Sequence, residues 1–304
     1  MKWMLAAHRS ELARPGDYVL LRGGFDHYAI FNLEGEVLAT DNVCAHRGSR
    51  ILLGTHGTRE LACPYHGFKG KKVIGRQYMT AWLGDWLFLG DGETVLEDDL
   101  ADLGPILYGI SGKITRRHDF DFMPMPCDWT VAVENTLEDL HVSMVHPDTF
   151  GKLGLKLEGM SRHGLNSIAS YKIGDERIVK AMEAIGQHVE DVQPDTYFHI
   201  HLYPFTCLSS VGGASFSLQH YLPAGGMTGF HSRLYAGKVK PGADLRWWFD
   251  EAVAFNKRVF AQDSAICATV ADDGTFLTEH ERRIVWFREA ANSNGRQSSQ
   301  DSKI

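Results

Sequence analysis

Two groups of residues carry donor atoms in patterns that suit metal chemistry. Cys44-Ala45-His46 and Cys63-Pro64-Tyr65-His66 each set one thiolate and one imidazole on a short stretch, and residues 47–62 separate them. Two thiolates and two neutral imidazoles suit either a tetrahedral zinc ion or a [2Fe–2S] cluster in which one iron keeps both sulfurs and the other both imidazoles. Zinc fingers of the Cys2His2 type take each ligand kind from its own element, whereas each stretch here mixes the two, which favours the cluster. Further along, Glu138, His141 and His146 fall in one helix-patterned segment, Trp129 to Val145, and Pro147 follows. On a regular helix His141 and His146 stand about 140° apart. The residue before a proline is biased out of the α region, so His146 is expected where the helix ends and free to turn toward His141. Two imidazoles and one carboxylate hold a non-haem Fe(II) with open positions, and Asp263 is the candidate carboxylate. It lies at the margin of an apolar stripe, Phe255, Val259, Ile266 and Val270, of a helix expected from Asp244 to Val270. A cation repays the cost of burying a carboxylate there; a surface pair with lysine or arginine is the other reading.

The elements that must position these groups fall into two styles. From Asp17 to about Phe88, short apolar runs broken by Gly, Asp and Asn predict a small antiparallel β domain with loops at one end. From about residue 110 the text turns to the helix-patterned segment and to alternating runs at Ser167–Lys172, Tyr197–Leu202, Ser215–Tyr221 and Gly229–Ala236. The expected class is α+β: an all-β front domain over 1–110, an antiparallel-sheet domain with helices over 111–290, and a polar flexible tail over 291–304. His199 and His201 alternate with Phe198, Ile200 and Leu202, so they share one strand face, either in the pocket or on the wet side of the sheet.

The 304 residues are 44% hydrophobic and 23% charged, without an apolar run near the ~20 residues a membrane span needs. The net charge of −7 offers no attraction to phosphate backbones, so neither nucleic acid nor membrane is an expected partner. The apolar start, Met1 to Ala7, is too short for a signal-peptide core, and the five cysteines are odd in number and scattered. A cytoplasmic address is expected, with Cys127, Cys207 and Cys267 as buried small hydrophobes.

The runs Cys44-Ala45-His46-Arg47-Gly48 and Cys63-Pro64-Tyr65-His66-Gly67-Phe68 resemble the Rieske domains of ring-hydroxylating oxygenases, and the order Glu138, His141, His146, Asp263 is similar to that of their catalytic domains. Neither loop has the extra cysteine found in respiratory Rieske proteins. The resemblance implies a Rieske [2Fe–2S] cluster on Cys44, His46, Cys63 and His66, a mononuclear Fe(II) on His141, His146 and Asp263, and a helix-grip catalytic domain. It implies a terminal oxygenase that hydroxylates or oxidatively demethylates a small aromatic or methylated-amine substrate, with O2 and electrons from NAD(P)H. A separate reductase, with or without a ferredoxin, would supply those electrons, since no flavin or nicotinamide motif is present. The alternatives are a cis-dihydroxylating ring dioxygenase and a Rieske electron carrier fused to a non-catalytic binding domain. Glu138 stands where most of the family has Asp, a departure shared with branches that oxidise quaternary ammonium compounds. By resemblance it links a cluster histidine of one subunit to an iron histidine of the next, which implies a closed head-to-tail ring, most simply a homotrimer. Met144, Phe205, Ser209 and Phe260 are the expected pocket-lining residues.

Overall fold

The computed structural model describes residues 2–24, 27–185, 193–240, 245–270 and 278–301. The front of the chain forms strands β1 Met4–His8, β2 Asp17–Arg22, β3 His27–Leu33, β4 Glu36–Asp41, β5 His56–Thr58, β6 Gln77–Leu83 and β7 Trp86–Gly90. They make one antiparallel sheet in the order β1-β7-β6-β4-β3-β2-β5. The β3–β4 hairpin turns on Glu34 and Gly35, both at positive φ (56° and 100°), the backbone twist that a two-residue connection needs.

Helices α1 Leu96–Leu100 and α2 Gly104–Ser111 lead into a second antiparallel sheet. Its strands are β8 Ile114–Met125, β9 Lys156–His163, β10 Asn166–Lys172, β11 Thr196–Leu202, β12 Thr206–Val211, β13 Ser215–Pro223 and β14 Thr228–Gly237, in the order β8-β14-β13-β12-β11-β10-β9. The remaining helices are α3 Trp129–Leu137, α4 Val142–Val145, α5 Glu176–Ile185, α6 Arg246–Cys267 and α7 Arg282–Asp301.

Alternation along β11 explains how this sheet is used on both faces. Phe198, Ile200 and Leu202 join Trp3, Leu5, Trp86 and Phe88 of the front sheet and Leu103, Leu107 and Ile110 in one core. His199 and His201 point the other way, where Val133, Leu137, Val259, Phe260 and Phe287 of α3, α6 and α7 cover the sheet. The front domain is tied down further by a buried ion network. The Glu11 carboxylate takes hydrogen bonds from Arg233 Nη1 (3.1 Å), Arg117 Nη1 (3.1 Å), Tyr235 Oη (2.6 Å) and the His8 amide (3.0 Å). Arg233 in turn donates to His220 Nδ1 at 3.2 Å.

Several expectations change. The helix over Trp129–Val145 is two helices: α3 ends at Leu137 and Glu138 is extended (φ −123°, ψ 167°), because its carboxylate accepts hydrogen bonds from the Leu140 and His141 amides and closes a turn. Glu138 and His141 therefore do not share one helix. The end of α4 at His146 is as Pro147 demands. The helix expected from Asp244 to Val270 is shorter, α6 running from Arg246 to Cys267 with Asp244 outside the described residues, and it is not the last long one, since α7 follows it. Ile266 and Val270 are exposed, so the buried stripe of α6 is instead Phe249, Val259, Phe260, Asp263 and Cys267. Helical backbone in α7 continues to Asp301, through most of the segment expected as a tail.

Two candidate metal centres

The two Cys/His loops are copies of one backbone motif. In the first, Val43 bridges Arg50, the Cys44 amide donates to Ser49 O (2.8 Å) and the Gly48 amide to Cys44 O (2.9 Å). In the second, Ala62 bridges Lys69, the Cys63 amide donates to Phe68 O (2.8 Å) and the Gly67 amide to Cys63 O (2.9 Å). Gly48 and Gly67 close the two turns at φ 69° and 72°, where a Cβ is strained. Each loop thus points a buried sulfur inward and an exposed imidazole outward.

Like meets like between the loops. The two imidazoles meet edge to face with Nδ1 atoms 3.2 Å apart, and the Cys44 thiol stands close enough to influence that of Cys63. The His66 backbone N–H, helped by that of Tyr65, holds the Cys63 thiol below its ordinary value against the opposing pull of burial. A tetrahedral zinc ion would bring every sulfur to within about 3.5 Å of every imidazole nitrogen. Among the described residues, however, three His, Cys, Asp or Glu donor atoms come within 4.8 Å of one another only at His141, His146 and Asp263. A sulfur pair beside a nitrogen pair fits a two-iron cluster and disfavours a single zinc ion.

At the second centre, Asp263 Oδ1 lies 2.9 Å from His146 Nε2 and 3.7 Å from His141 Nε2. The other nitrogen of each ring is already committed. His141 Nδ1 donates to Glu138 Oε1 in a short hydrogen bond, and His146 Nδ1 donates to Gln262 Oε1 at 2.9 Å. Asn135 Nδ2 adds a bond to Asp263 Oδ1 at 2.9 Å. With both Nδ1 atoms protonated, two imidazole lone pairs and a carboxylate face one point, an arrangement that requires a cation there or protonation of a ring. Burial lowers the His146 basicity, but Asp263 and Gln262 outweigh it and raise the ring above its ordinary value. The donor set, two nitrogens and an oxygen oriented by outer partners, fits a mononuclear iron. Gln262 and Asn135 are partners the sequence did not disclose, because only the tertiary packing brings them to the rings.

This centre opens on a cavity of about 80 Å³, lined also by Tyr171, Tyr197, His199, Ser209, Tyr221 and Phe260. Phe150, Tyr197, Ser209 and Asn256 are shared with a larger cavity of about 570 Å³, whose other walls include Trp247, Trp248, Glu251 and Phe255. Of the expected lining residues Ser209 and Phe260 are in place. Met144 is 82% exposed on α4, and Phe205 packs against Trp129 and the front-domain core, and neither lines these two cavities. Of the paired histidines only His199 reaches the cavity; His201 is buried beside Phe287 and bonded to Pro204 O. Cys127, Cys207 and Cys267 are buried and free, as expected.

Two antiparallel domains, one with paired Cys/His loops and one with a His/His/Asp centre over a cavity, define a protein of two candidate metal centres. Residues 2–73 match the Rieske [2Fe–2S] domain and residues 112–273 the ring hydroxylating alpha subunit catalytic domain, and the chain belongs to that ring-hydroxylating alpha subunit family. A Rieske cluster and a mononuclear iron are the cofactors of this two-domain arrangement. Over 174 residues it is 29% identical to the carnitine monooxygenase oxygenase subunit of Acinetobacter baumannii, covering 48% of this chain and 46% of that protein. Over 175 residues it is 25% identical to the chloroplastic choline monooxygenase of Beta vulgaris, covering 47% and 39%. These alignments thus span less than half the length of the curated relatives. In fold it is similar to the quaternary ammonium Rieske monooxygenase CntA, with TM-score 0.76, 18% identity, and 95% and 87% of the two chains covered. It is also similar to naphthalene 1,2-dioxygenase from Rhodococcus sp., with TM-score 0.63, 17% identity, and 95% and 88% covered. Among the described residues no helix is long and apolar enough to cross a membrane.

Proposed function

We propose that the chain is a terminal oxygenase that uses O2 and NAD(P)H-derived electrons to hydroxylate or oxidatively demethylate a small aromatic or methylated-amine substrate. The observation that carries this reading is the convergence of His141, His146 and Asp263 on one point beside a cavity, in a chain that also carries the paired thiol and imidazole loops. Cys44, His46, Cys63 and His66 would hold the cluster, and His141, His146 and Asp263 the mononuclear iron; together the two groups supply electron storage and O2 activation. Glu138 and Gln262 fix which nitrogen of each ring is free for the metal, and the apolar walls of the large cavity hold the substrate away from water. Trp247, Trp248, Phe255 and Tyr197, with the Glu251 carboxylate among them, line a cavity that suits a methylated ammonium group.

The assembly proposed is a head-to-tail homotrimer served by a separate reductase, with or without a ferredoxin, in the cytoplasm. Exposed apolar side chains stand beside both centres, Leu53, Tyr65 and Phe68 at the loops and Leu140 and Met144 at the iron site, as a seam between neighbours requires. In that seam Glu138 would connect the two centres. The domain division proposed is 1–110 and 111–290. Iron and acid-labile sulfide analysis tests the core of the reading: three irons per two sulfides supports it, and two per two makes the chain an electron carrier. Sedimentation analysis at one subunit mass would reject the ring.

A further inference from the structure

His199 takes no part in either metal centre, yet it is 5% exposed and lines the cavity that His141, His146 and Asp263 share. It stands on β11 opposite Ser209 of β12, another cavity residue. Behind it lies Arg283, buried in the first turn of α7, with Nη1 3.0 Å from His199 Nδ1 and Nε 3.0 Å from Ser167 Oγ. A guanidinium only donates, so His199 Nδ1 must accept, and the ring carries its proton on Nε2. That Nε2 is buried and has no hydrogen-bond partner among the described residues. An unmet buried donor is costly, and natural structures keep few without a reason. Burial first, then the Arg283 charge and the neighbouring His201, keep the ring neutral, its basicity well below the ordinary value. A neutral donor with a guanidinium behind it attracts a lone pair, and the guanidinium charge directs any cationic portion of the same ligand away from this end.

We propose that His199 is a specificity-determining residue whose Nε2–H receives a carboxylate or carbonyl oxygen of the substrate, with Arg283 as the positioning residue that fixes the tautomer. This rests on reading the cavity as the substrate site, and it adds a requirement absent from that reading: the substrate carries a hydrogen-bond-accepting oxygen within reach of the iron centre. The carbon to be oxidised then faces His141, His146 and Asp263. Methylated amino acids and aromatic acids share that chemistry.

Anaerobic titration calorimetry on the holoenzyme tests it with two ligand pairs, glycine betaine against ethyltrimethylammonium and benzoate against toluene. The oxygen-bearing member of one pair is expected to bind more tightly to the unaltered protein, and the pair that shows it identifies the source. His199→Phe should erase about 10- to 100-fold of that preference, the worth of a hydrogen bond to a charged group, while His199→Gln, which keeps an N–H, should retain most of it. Affinity for the oxygen-free member should stay the same. Arg283→Met should lose the preference as well, with Arg283→Lys restoring it. If His199→Phe does not fold, His199→Met carries the same measurement. No preference in the unaltered protein, a preference unchanged by these variants, or an equal loss for both members of a pair would each overturn the proposal. Such a result with three irons per two sulfides leaves the oxygenase reading standing; two per two rejects that reading whatever the ligands do.

Discussion

Glu11 offers the sharpest energetic test of how this chain is held together. Its side chain and that of Arg233 are both fully buried, and four donors from the front domain and the catalytic sheet converge on one carboxylate. Glu11→Gln keeps the shape but removes the charge, leaving the Arg233 guanidinium uncompensated where water cannot reach. Removing one partner of a buried pair costs about 3–5 kcal/mol, a large share of a typical stability of about 5–15 kcal/mol. Urea unfolding followed by tryptophan fluorescence and by circular dichroism should show the midpoint fall with the slope unchanged and the two probes coincident. Adding Arg233→Met should recover part of the loss, since an apolar pair does not have to repay desolvation. The pH dependence has a definite sign. Burial raises the Glu11 carboxyl, but Arg233, Arg117, Tyr235 and the His8 amide outweigh it and hold the carboxyl below its ordinary value. Its stabilisation is therefore complete above the ordinary carboxylate value and is lost as pH falls through the depressed one, and the Gln variant should lack that acid-side component. A loss under about 1 kcal/mol, or separate transitions for the two probes, would refute the account of Glu11 as the joint between domains.

The other expectations concern the metal centres. Asp263→Ala should leave the visible absorption of the cluster intact and drop iron from three to two per two sulfides; retention of the third iron sinks the ligand assignment. Cys44→Ser should do the reverse to the spectrum, bleaching it, because one iron loses half its thiolates. Glu138→Gln should keep both centres loaded yet slow single-turnover oxidation of substrate, and an unchanged rate would reduce Glu138 to a clamp on His141. Gly67→Ala should cost about 1–2 kcal/mol from the left-handed backbone alone, since its φ is 72° and an added Cβ meets nothing within 4 Å; thermal unfolding of the loaded protein measures it.

The candidate centres were legible where their residues are local in sequence. Cys44 to Gly48 and Cys63 to Phe68 carry candidate donors, turn glycine and loop length within a few residues, so the pairing of the two loops could be read from the sequence. Asp263 was singled out by an argument only half right: it is buried mid-helix as expected, but its neighbours on the stripe are Phe260 and Cys267, with Ile266 and Val270 turned to solvent. Glu138 was placed on a helix because α3 and α4 share one helical rhythm, and nothing short of the side chain bonding its own turn interrupts it. Strand β8 escaped notice because Arg116, Arg117, His118 and Asp119 hide its alternation, and β1 because its run, buried on both faces, does not alternate at all. The Gln262, Asn135 and Arg283 contacts join residues more than eighty positions apart, and no periodicity reports such pairings.

Helix α6 joins two tasks in one rod. Gln262 and Asp263, adjacent on it, grip the His146 ring from opposite edges, while Trp247, Trp248, Glu251 and Phe255, earlier on the same helix, form a wall of the large cavity. From Phe255 to Asp263 is eight residues, about 12 Å of continuous hydrogen-bonded backbone. The wall that would meet a guest in the large cavity and the two side chains that fix the His146 ring are therefore set by one continuous helix, so their spacing is fixed by its backbone.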